Sequence, residues 1–164
     1  MKRFKAFVIL LLVLFGLWVM LAGTDSEELI AGGITAFLIS LFFSGKASAL
    51  SDIRFTPKSI LYMIIYIPFF IGELIKSNLD VAGRVISPRL PINPGIVKVK
   101  TRLKSPLGRL ILANSITLTP GTMTVETEGE YLFIHWIDMK CEDMDSATAS
   151  IVSGFEKYLE VIFG

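Results

Sequence analysis

The stretch AFVILLLVLFGLWVMLAG, residues 6–23, decides the class of this protein, because its eighteen residues include no charged or polar side chain. As a helix it is about 27 Å long, close to the ~30 Å hydrocarbon core of a bilayer. The basic residues Lys2, Arg3 and Lys5 before it are also typical of a signal peptide. The run is longer than the roughly 7–15 residues of a signal core, and a second apolar segment follows at once. We therefore predict a retained membrane helix over residues 6–23.

A second charge-free segment, residues 29–44, predicts a second membrane helix. The short acidic link 24–28 joins it to the first, so the two are expected to form a helical hairpin. Small residues in the second segment let helices approach closely in lipid. These residues are Gly32, Gly33, Thr35 and Ser40.

A third apolar segment, residues 60–82, is predicted to begin after Thr56, a capping residue that Pro57 follows at the first helical position. Its aromatic side chains suit a membrane interface, and its later part is amphipathic. The aromatic residues are Tyr62, Tyr66, Phe69 and Phe70. The segment either crosses the membrane obliquely or lies partly in the interface. Residues 1–86 thus form a membrane half of two to three helices.

The run SPRLPINP, residues 87–94, contains three prolines and is predicted to be the linker between two domains. Residues 95–164 predict a small α+β domain in the order β-α-β-β-α, which is half of a ferredoxin-like pattern. Its first strand is expected from the alternation of apolar and basic residues along residues 97–104. A domain of about 70 residues is marginally stable alone, so we expect it to lean on a partner or on the membrane.

The distribution of basic residues predicts the orientation in the membrane. The basic N-terminus indicates the inside and the acidic link 24–28 the outside. Residues 76–109 hold eight basic residues and one acidic residue, a net charge of +7 that indicates the cytoplasmic side. A third full crossing would put this region outside. We expect a multi-pass protein of the cell membrane with a cytoplasmic C-terminal domain, so that either the third segment does not cross fully or the charge rule fails here.

Composition excludes several functional classes. The chain is 52% hydrophobic and 19% charged, which excludes a disordered chain. Its single cysteine and single histidine exclude a disulfide framework and a multi-histidine zinc site. The net charge of +1 does not indicate a nucleic-acid partner, and the sequence has no glycine-rich phosphate loop or nucleophile motif. We predict a chain that is not an enzyme and that has no cofactor, catalytic residue or metal site.

Two ionisable residues are candidates for a role in ion or proton movement. Glu73 lies near the end of the third segment, where an acid is either functional or an interfacial residue paired with Lys76. An ion path requires a relay of such groups, and the apolar cores offer no second one. His135 lies in the middle of a predicted strand, where it is either a proton carrier or a hydrogen-bonded strand residue.

Two further groups of residues have alternative interpretations. The basic strand face is a candidate surface for anionic lipid or an acidic partner, or it is a solvated face whose charges protect a strand edge. Its residues are Lys98, Lys100, Arg102 and Lys104. The polar run around Asn114 is interpreted as a structural motif that ends a helix in a turn. The turn residues are Thr119, Pro120 and Gly121, and a positive φ is expected at the glycine.

The run ANSITLTPGTMT, residues 113–124, resembles a run in the E-type (MnhE) component of the Mrp-type (Mnh-type) multisubunit Na⁺/H⁺ antiporters. The stretch PFFIGELIKSNLDVAGRVISP, residues 68–88, is similar too, with Glu73, Asn78 and Val81 in matching places. So are SPRLPINPGIVKV at residues 87–99 and FIHW at residues 133–136, with its histidine. Together with the two N-terminal helices, the resemblance extends over nearly the whole chain.

This resemblance implies an accessory integral-membrane subunit of a large complex that exchanges Na⁺ for H⁺ across the cell membrane. The ion paths then lie in larger subunits, and this subunit has a role in assembly or activity without a catalytic residue of its own. Close relatives are modules of membrane-bound hydrogenases and related respiratory complexes in archaea. The partners implied are the other membrane subunits of such a complex and the lipid bilayer.

Two other functions remain alternatives. A standalone membrane-anchored binding module would use the basic strand to contact lipid or an acidic partner. A small self-sufficient transporter would need several ionisable groups inside the membrane, and the sequence has too few of them.

Overall fold

The computed structural model describes the backbone of residues 2–164 and their side chains, except those of Lys2 and Ser48. The chain forms two compact units, and the division falls between Ile53 and Arg54. The sequence predicts this division at the proline-rich segment 87–94. The third apolar segment instead belongs to the second unit.

The first unit is the expected helical hairpin. Helix α1 comprises Lys2–Ala22 and helix α2 comprises Ser26–Phe43, and a short 3₁₀ helix, Ser48–Asp52, follows. Small residues of α2 are buried at intervals of four, namely Gly32, Ala36 and Ser40. The indole ring of Trp18 lies against Gly32 so closely that a Cβ there would collide with it. Of the expected small residues, Gly32 therefore makes the close approach, whereas Gly33 has open space beside it.

Helix α3, Pro57–Ile86, begins the second unit. The Thr56 side chain caps it by accepting a hydrogen bond from the Ser59 backbone, and the helix continues through Pro68. With α1 and α2, it is one of three helices among the described residues that are long and apolar enough to cross a membrane. One face of α3 is an exposed apolar stripe. Its residues are Ile60, Leu61, Ile64, Ile67, Ile71, Ile75 and Leu79.

The rest of the second unit is the expected α+β domain. Its elements in order are β1 (Gly95–Lys100), α4 (Pro106–Leu118), β2 (Thr122–Glu128), β3 (Tyr131–Trp136), α5 (Met144–Ile151) and α6 (Ser153–Phe163). The sheet order is β1-β3-β2, and β3 pairs antiparallel with both neighbours. Strands β1 and β2 therefore run parallel on either side of β3, joined by α4 as a split β-α-β unit. The predicted β-α-β-β-α order is confirmed, with the terminal helix divided at Val152.

The second unit has three layers. One face of the sheet is covered by helices, since α4 packs on β2 and α5 packs on β1. The core between them is apolar and buried, and includes Val97, Val99, Leu112, Ile116, Leu132, Ile134, Ile151 and Leu159. The first half of helix α3 packs on the outside of this helical layer, mainly against α6, and its second half reaches the end of the sheet. The other face of the sheet is covered by no element of the described chain.

The aromatic residues of α3 face the domain, which corrects the prediction that they lie at a membrane interface. The Phe69 ring lies 4.6 Å from the Tyr158 ring and 5.7 Å from the Phe155 ring, measured between centroids. The Tyr66 hydroxyl is 2.5 Å from the Ser115 hydroxyl, which donates its own proton to the Ile111 carbonyl. Tyr66 is therefore the donor. This face of α3 supplies the support that a small domain needs, so the proline-rich segment does not separate α3 from the domain.

Candidate functional site

A cavity of about 280 Å³ lies between the second half of α3 and the domain. Its apolar wall comes from the sheet and from helices α4, α5 and α6, through Ile116, Trp136, Ile137, Ile151 and Phe155. Its rim is charged. The rim residues are Glu73, Lys76, Asp80, Arg84, Asp138 and Lys140. We call this site the α3 cavity. An apolar wall with a few polar groups at its rim is the usual character of a binding pocket, and it suits an apolar group with a polar end.

Arg84 forms ion pairs with two other residues of the rim. Its Nε lies 2.8 Å from an oxygen of Asp80, and its Nη1 lies 2.9 Å from an oxygen of Asp138. Nη1 also donates a hydrogen bond to the Pro91 carbonyl at 2.7 Å. The side chain of Arg84 is only 14% exposed. This one guanidinium therefore joins α3 to the proline-rich segment and to the chain after β3. In the sequence alone Arg84 counts only as a positive charge, because its partner Asp138 is 54 residues away.

Glu73 and the threonine-proline-glycine turn both line the α3 cavity, so the structure brings together two features that are separate in the sequence. The Glu73 carboxylate lies 3.7 Å from the Lys76 ammonium, as the spacing of three residues predicts. The turn follows the end of α4. Thr119 donates its hydroxyl proton to the Ser115 carbonyl, and Gly121 has a φ of +93°.

Two predicted site residues lie elsewhere. Asn114 is exposed on α4 and does not line the α3 cavity. His135 is half-buried on the uncovered face of the sheet, opposite Ile96 on β1 and Met123 on β2. No hydrogen bond joins its ring to any described residue.

The four basic residues 98–104 do not form one strand face, contrary to prediction. Strand β1 ends at Lys100, because the next free backbone N–H, that of Arg102, donates to the Glu156 carboxylate instead of a strand. Arg102 also forms ion pairs with Glu156 and Glu160, at 3.1 and 3.4 Å. Lys104 is exposed beyond the strand end. Only Lys98 and Lys100 remain on the sheet, where the Lys98 ammonium lies 4.0 Å from the centre of the Tyr131 ring.

Glu156 is a structural residue that sequence reasoning missed. It is 3% exposed, and one carboxylate oxygen accepts hydrogen bonds from the Thr101 hydroxyl and the Arg102 backbone, each at 2.6 Å. The spacing of Phe155 and Leu159 predicts a buried helix face, but a glutamate beside it is ordinarily solvent-exposed. Its partners are more than 50 residues away, so no local pattern indicates its burial.

Comparison with known proteins agrees with this architecture. A sequence profile of the Na⁺/H⁺ ion antiporter subunit family MNHE matches residues 11–162. The chain belongs to the MnhE family. It is 35% identical to the E-type component of the Na⁺/H⁺ antiporter of Bacillus subtilis, over 96% of this chain and 98% of the relative. It is 34% identical to the corresponding antiporter component of Alkalihalophilus pseudofirmus, over 65% of this chain and 68% of that one.

A solved structure supports the same assignment. A chain in the structure of the membrane-bound sulfane sulfur reductase, an archaeal respiratory membrane complex, is 44% identical to this MnhE chain. The similarity covers 97% of this chain and 99% of that one, with a TM-score of 0.85. The predicted family is therefore confirmed. This MnhE protein is an accessory membrane subunit of an antiporter-type complex.

Proposed function

We propose that this MnhE chain is a non-catalytic structural subunit in the membrane arm of a respiratory complex, anchored by two crossing helices and one in-plane helix. The main support for this proposal is that the two faces of α3 have different surroundings. One face holds the domain and the opposite face is an exposed apolar stripe. The choice of host rests on the 44% identity to a chain of a respiratory complex, against 35% for the Bacillus subtilis antiporter component.

The contacts of α3 favour an in-plane helix over a third crossing. They begin at Ser59, whose hydroxyl donates to the Val161 carbonyl at 3.0 Å, and end at Arg84, which pairs with Asp138. At 1.5 Å per residue, these 25 steps extend about 38 Å, which exceeds the hydrocarbon thickness. A crossing α3 would bring the charged domain beside it into the hydrocarbon, at a prohibitive cost. The exposed isoleucines and leucines instead suit the lipid surface.

An in-plane α3 resolves the conflict in the charge distribution. Helices α1 and α2 cross and return, so Lys58 and the domain lie on the side of the basic N-terminus. The net charge of +7 over residues 76–109 then lies on the cytoplasmic side, as the positive-inside rule expects. Within this arrangement the α3 cavity has a structural role, because the ion pairs at its rim connect the domain to α3.

The sidedness can be tested with cysteine labelling. Cys141 is the single cysteine of the chain and is half-buried in the domain. A membrane-impermeant maleimide should label it, and a Lys58→Cys side chain in a Cys141→Ser background, only in inside-out vesicles. Ser26→Cys in the same background should be labelled only from the opposite side. Labelling of Cys141 and Lys58→Cys from opposite sides would show that α3 crosses, and would overturn the in-plane arrangement.

The host can be tested by affinity purification of the tagged chain from membranes in mild detergent, followed by a native gel and mass spectrometry. We expect several polytopic subunits together with redox subunits. Polytopic antiporter subunits without redox subunits would contradict the respiratory host and leave the accessory role. A stable small species alone would contradict both and favour the membrane-anchored binding module.

A further inference from the structure

We propose that the uncovered face of the sheet is a docking surface for the water-exposed part of another subunit, a protein segment with an apolar centre, a carboxylate beside β1 and a cation beside β2. This inference rests on the proposed function, which makes this chain one subunit of a multisubunit complex. We call this surface the open sheet face, formed by the outward side chains of β1, β2 and β3.

The open sheet face carries a row of two exposed apolar side chains on either side of a histidine. Ile96, His135 and Met123 are opposite one another in register across the three strands. Ile96 is 61% exposed and Met123 is 51% exposed. Beside this row, Phe133 on β3 is half-buried, and Val125 is exposed at the bulge between Thr124 and Glu126. Single exposed apolar residues are common, but a contiguous patch of them on one sheet face marks an interaction site.

The charges on this face are separated by strand. Lys98 is on β1, and it has no ion pair with any described residue, since its ammonium lies over the Tyr131 ring instead. Glu126 and Glu128 are exposed on β2, opposite Phe133 and Tyr131 in register, and neither forms an ion pair within the described part of the chain. A partner with a carboxylate beside Lys98 and a cation beside Glu126 is therefore the complementary one.

The separated charges disfavour lipid as the occupant. Glu126 and Glu128 are exposed on β2 and would repel an anionic headgroup surface, whereas a protein segment can place a cation beside them.

The proposed function makes this chain one subunit of a larger complex, so the occupant is the water-exposed part of a different subunit. A second copy of this chain is the other protein occupant, and the identity of the crosslinked protein distinguishes the two.

Photo-crosslinking in the intact complex in native membranes tests this proposal. The probe is p-benzoylphenylalanine, placed at Met123 or Ile96, with Ile71 on the apolar stripe of α3 as the matched control position. We expect Met123 and Ile96 to give an adduct with another protein subunit, located by mass spectrometry near a carboxylate, and Ile71 to give lipid adducts. Lipid adducts at Met123, an adduct with a second copy of this chain, or no adduct would each overturn the proposal.

A charge reversal tests the chemistry of the partner. Lys98→Glu should lower the yield of the Met123 adduct about tenfold, because close charge pairs across interfaces contribute on the order of a factor of ten or more in affinity. Lys157→Glu, at an exposed position of α6, is the matched control and should leave the yield unchanged. Reversal of the crosslinked subunit's carboxylate to lysine should restore the adduct in the Lys98→Glu background. An unchanged yield in Lys98→Glu contradicts the proposed charge pairing. A chain that fails to co-purify with any complex would instead refute the proposed function.

Discussion

Gly121 joins α4 to β2 with a φ of +93°, and a Cβ there would lie 3.1 Å from Cγ2 of Ile137. Gly129 also has a positive φ, of +60°, but open space beside it. Gly129→Ala should therefore lower the free energy of unfolding by about 1–2 kcal/mol through backbone strain alone. Gly121→Ala should cost about 1 kcal/mol more, because the new methyl group also makes a tight contact that Ile137 must shift to relieve. Thermal unfolding of the purified full chain in detergent measures both, and equal losses would show that the close approach does not matter.

Glu156 is the buried acid that fixes the end of β1. Glu156→Ala leaves the Thr101 hydroxyl and the Arg102 backbone N–H without their acceptor, so we expect a loss of about 3 kcal/mol in the free energy of unfolding. Glu160→Ala removes the other ion pair of Arg102, which is exposed, and should cost less than about 1 kcal/mol. Denaturant unfolding of the same preparations compares the two, and a Glu160 effect as large as that of Glu156 would be inconsistent with this account.

Asp143 caps helix α5 and gives it a pH dependence. The Ser146 backbone N–H donates to its carboxylate at 2.8 Å and holds the pKa of Asp143 below its ordinary value. A carboxyl group whose pKa is lower in the folded state stabilises the fold at neutral pH, and this contribution is lost as pH falls through the acidic range. Asp143→Ala should therefore lower the unfolding midpoint by a few degrees at pH 7. The difference from wild type should shrink as the pH falls below about 4, and a constant difference would argue against the charged cap.

Aromatic side chains on one face of α3 pack against the domain. Phe69→Ala removes the ring that packs against Phe155 and Tyr158, so we expect a loss of about 2–3 kcal/mol in the free energy of unfolding. Ile71→Ala, on the exposed stripe, is the matched control and should cost less than about 1 kcal/mol in detergent. A larger loss at Ile71 than at Phe69 would mean that the exposed stripe, and not the aromatic face, holds α3 in place.

Local sequence patterns predict the helices and strands of this chain better than they predict the contacts between them. The charge-free run of α1, the capping of α3 and the hairpin of β2 and β3 all follow from neighbouring residues. The position of α3 does not, because aromatic residues at helical spacing suit a membrane interface and a protein contact equally well. The end of β1 is decided by Glu156, more than 50 residues later. The α3 cavity could not be predicted either, since its wall and rim combine residues from 73 to 155 of the sequence.

At the scale of the whole molecule, the polar residues of α3 contribute to the contact between this helix and the domain. Glu73 is 34% exposed, pairs with Lys76 and lines the α3 cavity. Glu73→Gln should therefore leave sodium-dependent proton exchange by the assembled complex within about twofold of wild type, because an isolated partly exposed acid is not a relay. Exchange measured in vesicles, with subunit content checked on a native gel, tests this. Loss of exchange in a fully assembled complex would place Glu73 in an ion path.

The packing of Trp18 on Gly32 makes this residue one of two intrinsic fluorescent reporters in the protein. The chain has two tryptophans, Trp18 in the hairpin and Trp136 in the core of the domain, so each compact unit holds one. The Trp18 indole N–H is buried without a hydrogen-bond partner among the described residues, an environment in which indole fluoresces at short wavelength. With Trp18→Phe or Trp136→Phe, the emission of the remaining ring reports the unfolding of one unit alone. The order in which the two units lose their structure can thus be observed without any attached label.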